Sequence, residues 1–169
     1  MVTYTLAEIA TRFARHDGID ADGLAHYEKS LRNLVQRHYL PPTIQQGRAF
    51  LYSRPAAVTI RLAQIASNFG IPRMSLDTLT RWLSDKHIAE AIERANSGES
   101  FGIHLIMTSS GTIFASADWA DRKEIDKKSL TRAEKALAWI GEGPRAEVAR
   151  FTLPASALIA ETLHVLGES

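Results

Sequence analysis

The 169-residue chain contains no cysteine. Disulfides, thiolate nucleophiles and cysteine-ligated zinc are therefore excluded, and any metal would rest on histidine and carboxylates alone. Long apolar runs are missing as well: none approaches the ~20 residues needed to cross a bilayer, and the first residues lack the basic start and apolar core of a secretion signal. A cytoplasmic location is the default expectation. Glycine-rich phosphate loops, HExxH and calcium-loop patterns do not occur. The histidines do not assemble a site. His87 and Glu90 stand at i and i+3 without a second histidine at helical spacing, and His104 alternates onto the less apolar face of a strand. Ser109 and Ser110 read as turn residues before nucleophiles, so no triad is suggested. The expectation is a protein that is not an enzyme and that uses no cofactor or metal.

What is present is an ordinary globular composition, with 45% hydrophobic residues and a formal net charge of +1. The charge is unevenly spread. Residues 1–85 hold 10 Lys and Arg against 7 Asp and Glu, and residues 86–169 hold 10 against 12, a balance of +3 and −2. The sign of the first half agrees with an anionic partner, although many inert domains would match it.

The first half alternates helical and extended patterns. Thr5 and Glu8 have the spacing of a capping box, with Tyr4 and Ile9 at the ends of a hydrophobic staple. Leu6, Ile9, Ala10 and Phe13 then form one apolar stripe. A turn containing Gly18, Asp20, Asp22 and Gly23 offers two caps for a second helix, striped by Leu24, Tyr27, Leu31, Leu34 and Val35 and running to about His38. Pro41 and Pro42 forbid its continuation, and residues 43–52 read as a small hairpin reversed at Gly47. A third helix begins at Ser53 and Pro55 and stops at Gly70; its polar stripe of Arg61, Gln64 and Asn68 reads as solvent surface. Ser75 is placed as the cap of a fourth helix, followed by a further helical stretch that ends at Asn96 to Gly98.

The second half changes period. Residues 101–119 are two β-rich runs around Ser110 and Gly111, a hairpin signal. A charged loop follows, then a helix with Thr131 and Glu134 as a capping box and Leu130, Ala133, Leu137 and Ile140 on one face. A strand over 146–153 and a last helix started by Pro154 complete a ββαβα module. The predicted architecture is α+β: a winged helix-turn-helix domain over residues 1–85, a helical linker over 86–98 and a small α+β dimerisation or sensing module over 99–169.

Several segments of the first half resemble the MerR family of winged helix-turn-helix regulators. YTLAEIA (residues 4–10) is similar to the family's opening helix, and GIDADGLAHYE (18–28) to its turn and recognition helix, with Leu24, Tyr27 and Glu28 matching. Tyr39, Leu40, Pro41 and Pro42 resemble the residues that precede the wing. Leu51, Tyr52 and Ser53 resemble its return strand, and residues 61–83 the paired helices behind it. The resemblance implies a DNA-reading domain. It departs from the family at two contact positions, where Ala25 and Phe50 stand in place of arginines, and in extra residues before Gly18 and between Glu28 and Leu40.

A helix in the major groove reads base edges with a few forked or amide side chains, while cations hold it on phosphates. On the second helix, His26, Lys29, Arg32, Asn33, Gln36 and Arg37 lie off the apolar stripe, with His26, Lys29 and Arg32 or Asn33 as the groove-facing set. Gln45, Gln46 and Arg48 surround the hairpin tip, and Tyr52, Arg54 and Arg61 are candidate backbone contacts. A solvated face accounts equally well for the helix cations taken alone. The leading expectation is a sequence-specific regulator binding double-stranded DNA as a homodimer, with a protein partner for the C-terminal module as a further expectation. The alternative is a winged-helix assembly adaptor without DNA readout.

Overall fold

Thr5 is where the chain first turns from extended to helical. Its hydroxyl accepts the backbone N–H of Glu8, and the Glu8 carboxylate accepts the backbone N–H of Thr5 at 2.6 Å, closing the capping box that starts α1 (Leu6–His16). The computed structural model describes residues 2–38, 40–119 and 147–167. The helix expected around residues 130–140, the start of the strand at 146 and Tyr39 lie outside the described residues.

A short strand, β1 (Thr3–Thr5), precedes α1. Gly18, with φ 72°, reverses the chain after α1, and Asp20 caps α2 (Ala21–Arg37) by accepting the Gly23 N–H at 2.9 Å. Beyond Pro41 and Pro42 come β2 (Ile44–Gln46) and β3 (Ala49–Ser53), joined through Gly47 at φ 60°. β3 also pairs antiparallel with β1, so the sheet order is β1-β3-β2. β1 escapes a reading of local pattern because three residues acquire strand geometry only from a partner almost fifty positions away.

Ser53 caps α3 (Arg54–Asn68), with Pro55 in its first turn. α4 (Arg73–Trp82) starts three residues earlier than a cap at Ser75 would set it; Pro72 is the capping residue and Ser75 is buried within the first turn. A π-helical turn, Leu83–His87, passes directly into α5 (Ile88–Asn96). The second sheet comprises β4 (Ile103–Thr108), β5 (Ile113–Ala117) and β6 (Glu147–Leu153) in the antiparallel order β5-β4-β6, and α6 (Ala155–Gly167) closes the described chain.

The fold is therefore mixed helix and sheet, as expected. One buried cluster runs from Tyr4 in β1 to Leu166 in α6. Ile88 and Ala91 of α5, in the stretch that reads as a linker, belong to this cluster, and α6 packs against α1, α3 and α5. Ile103, Leu105 and Leu153 supply the sheet's share. Among the described residues no helix is long and apolar enough to cross a membrane.

The last turn of α6 is held by two side chains from the other end of the sequence. The Tyr4 hydroxyl donates to the Leu166 carbonyl at 3.1 Å, and the Arg12 guanidinium donates to the carbonyls of Val165 and Leu166 at 3.3 Å each. Arg54 Nε donates in turn to the Tyr4 oxygen. Carbonyls in a last helical turn lack intrahelical partners and carry partial negative charge, so two guanidinium groups suit them electrostatically. His16 adds a 2.6 Å contact to Glu161, halfway along α6.

Candidate nucleic-acid interface

α2 buries Leu31, Leu34 and Val35, and this stripe fixes where its other side chains point. His26, Lys29, Arg32, Asn33, Gln36 and Arg37 are all exposed, as their spacing predicts. They do not form one surface. Glu28, Arg32 and Gln36 line a groove of 640 Å³ whose opposite wall is the β2–β3 hairpin, through Ala49 and Phe50. Asn33 and Arg37 instead line a smaller cleft of 170 Å³ facing Gln64, Ser67 and Asn68 of α3. His26 and Lys29 line neither of these two hollows and stand two turns and one turn before Asn33 on the exposed side of α2.

The hairpin presents Gln45, Gln46 and Arg48 to solvent around Gly47. Lys29, Arg37 and Arg48 have no carboxylate partner among the described residues, so their charge is available to an anion. Arg32 differs: its guanidinium pairs with Glu28 one turn earlier on α2. Pairing with an anionic ligand there would require breaking or sharing that contact.

Two expected contact residues are not free to meet a ligand. Tyr52 lies on the groove side of β3 with Phe50 but is only 4% exposed, packed into the core directly across from Tyr4 in the β1–β3 ladder. Burial raises its hydroxyl pKa. Arg54 is exposed, but its guanidinium is engaged at Tyr4 beside the end of α6 rather than at the hairpin tip.

The polar stripe of α3 is also not the open surface that its pattern suggests. Arg61 forms a two-pronged ion pair with Asp17 at the end of α1, one prong being Nη1 to Oδ2 at 2.8 Å. It also donates to Gln64 at 3.0 Å. The Tyr27 hydroxyl of α2 donates to Asp17 at 2.6 Å, so one carboxylate ties α1, α2 and α3 together. Burial by itself would raise the Asp17 carboxyl, but the hydrogen bonds from Arg61 and Tyr27 and the Arg61 charge outweigh it and hold the group below its ordinary range. Tyr27 is shifted upward, first by burial and then by its bond to Asp17. Tyr27 and Arg61 thus set the angle of α2 and are not free to reach a ligand.

Phe50 was not singled out by the sequence as a contact, yet it is 52% exposed and overhangs the groove beside its cross-strand neighbour Gln45. The signal for it was its strand parity with Tyr52, which places both rings on one side of β3. Below it the groove is floored by Leu6, Val35, Leu40, Pro41 and Pro42. Thr5 lines the α1 end of the groove, and the Glu8 carboxylate bonded to it is held below its ordinary range first by the Thr5 N–H and then by the Thr5 hydroxyl. An ionised carboxylate at this helix start repels phosphate and leaves anion binding to the cations of α2 and the hairpin.

In the second half, His104 is 7% exposed, with Nδ1 on the Thr152 hydroxyl at 2.9 Å and Nε2 donating to Asp118 at 2.7 Å. Asp118 also accepts the Gly102 N–H, which is the leading reason its pKa is lowered, with the His104 bond second. Both ring nitrogens are occupied in fixing the β4–β6 end of the sheet. Among the described residues no three His, Asp or Glu side chains converge as a metal site. The chain matches no family model, no curated protein and no solved structure.

Proposed function

We propose that the protein is a DNA-binding regulator whose reading head is a winged helix-turn-helix, with α1 and α2 as the helical pair and the β2–β3 hairpin as the wing. The observation that carries this reading is that α2 and the hairpin flank one groove, with the unpaired cations Lys29 and Arg48 exposed on the two flanking elements. The resemblance of residues 4–83 to MerR-type regulators supports it. In this arrangement α2 lies in the major groove, where His26, Lys29 and Asn33 reach base edges from its exposed side. Arg48 and the amides of Gln45 and Gln46 meet the neighbouring backbone or minor groove.

Three unpaired candidate cations per chain imply modest affinity and a log-log salt slope of about −3 for one protomer, roughly double that for a pair bound together. Titration of duplex DNA over several salt concentrations tests the reading. The wild type is expected to bind with that slope, and Lys29→Ala combined with Arg48→Ala to weaken binding and reduce the slope by about 2. Absence of binding by the wild type at low salt would overturn it.

The apolar floor of the groove favours a second reading, an adaptor that seats a partner's apolar segment against Phe50, Leu6 and Pro41. DNA interfaces are polar and strongly positive, and this floor is neither. An adaptor of this kind would leave duplex binding negligible in both wild type and variant.

A further inference from the structure

We infer that β6 is a self-association edge, through which two copies of this chain pair their β6 strands antiparallel about a two-fold axis. The two edges of the second sheet are not equivalent. β5 has α4 packed against it, and four of its five residues are buried. β6 exposes Glu147, Val148, Ala149, Arg150 and Thr152 along a seven-residue strand that, among the described residues, has one ladder, with β4. An open edge presents unpaired backbone donors and acceptors in the pattern another strand satisfies.

The side chains around this edge are apolar where a neighbour would sit. Met107, Ala149 and Phe151 share one face of the sheet by register, and Phe151 meets Phe69 with ring centroids 5.1 Å apart. Phe69 is 75% exposed, Val148 56% and Met107 37%. Together they expose on the order of 300 Å² of apolar surface along the edge, with Met107 and Phe69 beside Phe151, and Val148 at the bulge next to Ala149. Two such patches plus the paired backbone approach the ~1,000 Å² that a specific but weak interface requires.

A second copy fits better than a foreign strand for two reasons. Glu147 and Arg150 form an ion pair with each other at 2.7 Å, so the edge is electrically neutral and meets its own image without repulsion. Among the described residues each copy offers one open edge of this sheet, since β5 is packed by α4, and a two-fold pairing of like edges uses both and closes the assembly at two. The β-bulge at Val148 confines regular pairing to the residues that follow it, which keeps the contact short. This interface lies outside the α2–hairpin groove and does not depend on what that groove binds.

Sedimentation equilibrium of the full chain up to about 200 µM, a range that captures a weak dimer, is the direct test. Hydrogen exchange at the dilute and concentrated ends of that range locates the contact. The wild type should dimerise reversibly, with residues 148–152 gaining protection as concentration rises. Phe69→Glu combined with Val148→Lys, both at exposed positions that tolerate polar side chains, should raise the dissociation constant about tenfold or more. A monomer throughout the range, a dimer indifferent to both substitutions, or protection gained elsewhere would each overturn the inference, whatever the outcome with DNA.

Discussion

Asp17 stands at the end of α1 and accepts from Arg61, whose side chain is 11% exposed, and from Tyr27. Because its folded-state pKa is depressed, the carboxylate contributes stability that is fully present above its unfolded value of about 3.9 and is lost as pH falls through the lower folded value. Urea midpoints should therefore decline below about pH 4, more steeply in the wild type than in Asp17→Asn. At neutral pH that substitution strands a largely buried guanidinium and should cost about 2 kcal/mol. Equilibrium unfolding measures both effects. None of this was readable from the chain. Arg61 sits in a polar stripe that looks solvated, and its partner is 44 residues away, in a turn whose acidic residues read as caps. Asp20 does act as that cap; Asp17, three residues earlier, has a different role.

Among elements, those with local determinants were legible. The Thr5 and Glu8 spacing predicts the start of α1, the proline pair ends α2, Gly47 sets the hairpin tip and Ser110 with Gly111 the second hairpin. Thr5→Ala should remove the cap and lower stability by about 1 kcal/mol, read as a shift in the denaturation midpoint. The π-helical turn between α4 and α5 and the strand β1 were not legible, since each is imposed by packing rather than by propensity. Of the candidate contacts, the exposed ones follow from helical periodicity, but periodicity cannot say which exposed residues share a groove. Arg32 falls on the hairpin side, and Asn33, its immediate neighbour, on the α3 side. Phe50 separates the two functional readings. Phe50→Ser should leave stability within about 0.5 kcal/mol, because the ring is half exposed. Calorimetry would confirm this. Duplex affinity should fall less than in the Lys29→Ala, Arg48→Ala variant if the groove carries DNA by charge.

At the scale of the whole molecule, the two halves that the sequence separates by composition and period share one buried cluster. Unfolding followed by tryptophan fluorescence and by far-ultraviolet circular dichroism should accordingly give coincident transitions rather than two steps. The sequence could not disclose this continuity, because the residues that join the halves are apolar positions of α5 and α6 that would serve equally well in a self-contained module. Tyr4→Phe with Arg12→Ala removes the donors to the last turn of α6 and should cost about 2 kcal/mol in the same single transition, measured by thermal or chemical denaturation.

That fastening joins the strand leading into α1 to the last turn of α6. Tyr4 is simultaneously the cross-strand neighbour of Tyr52, two residues from Phe50, and the donor to Leu166. Any coupling carried through this residue is reciprocal by thermodynamic necessity. A ligand that tightens when α6 is seated must also seat α6 more firmly, so occupancy of the groove would be reported by slower solvent exchange in a helix that it never touches.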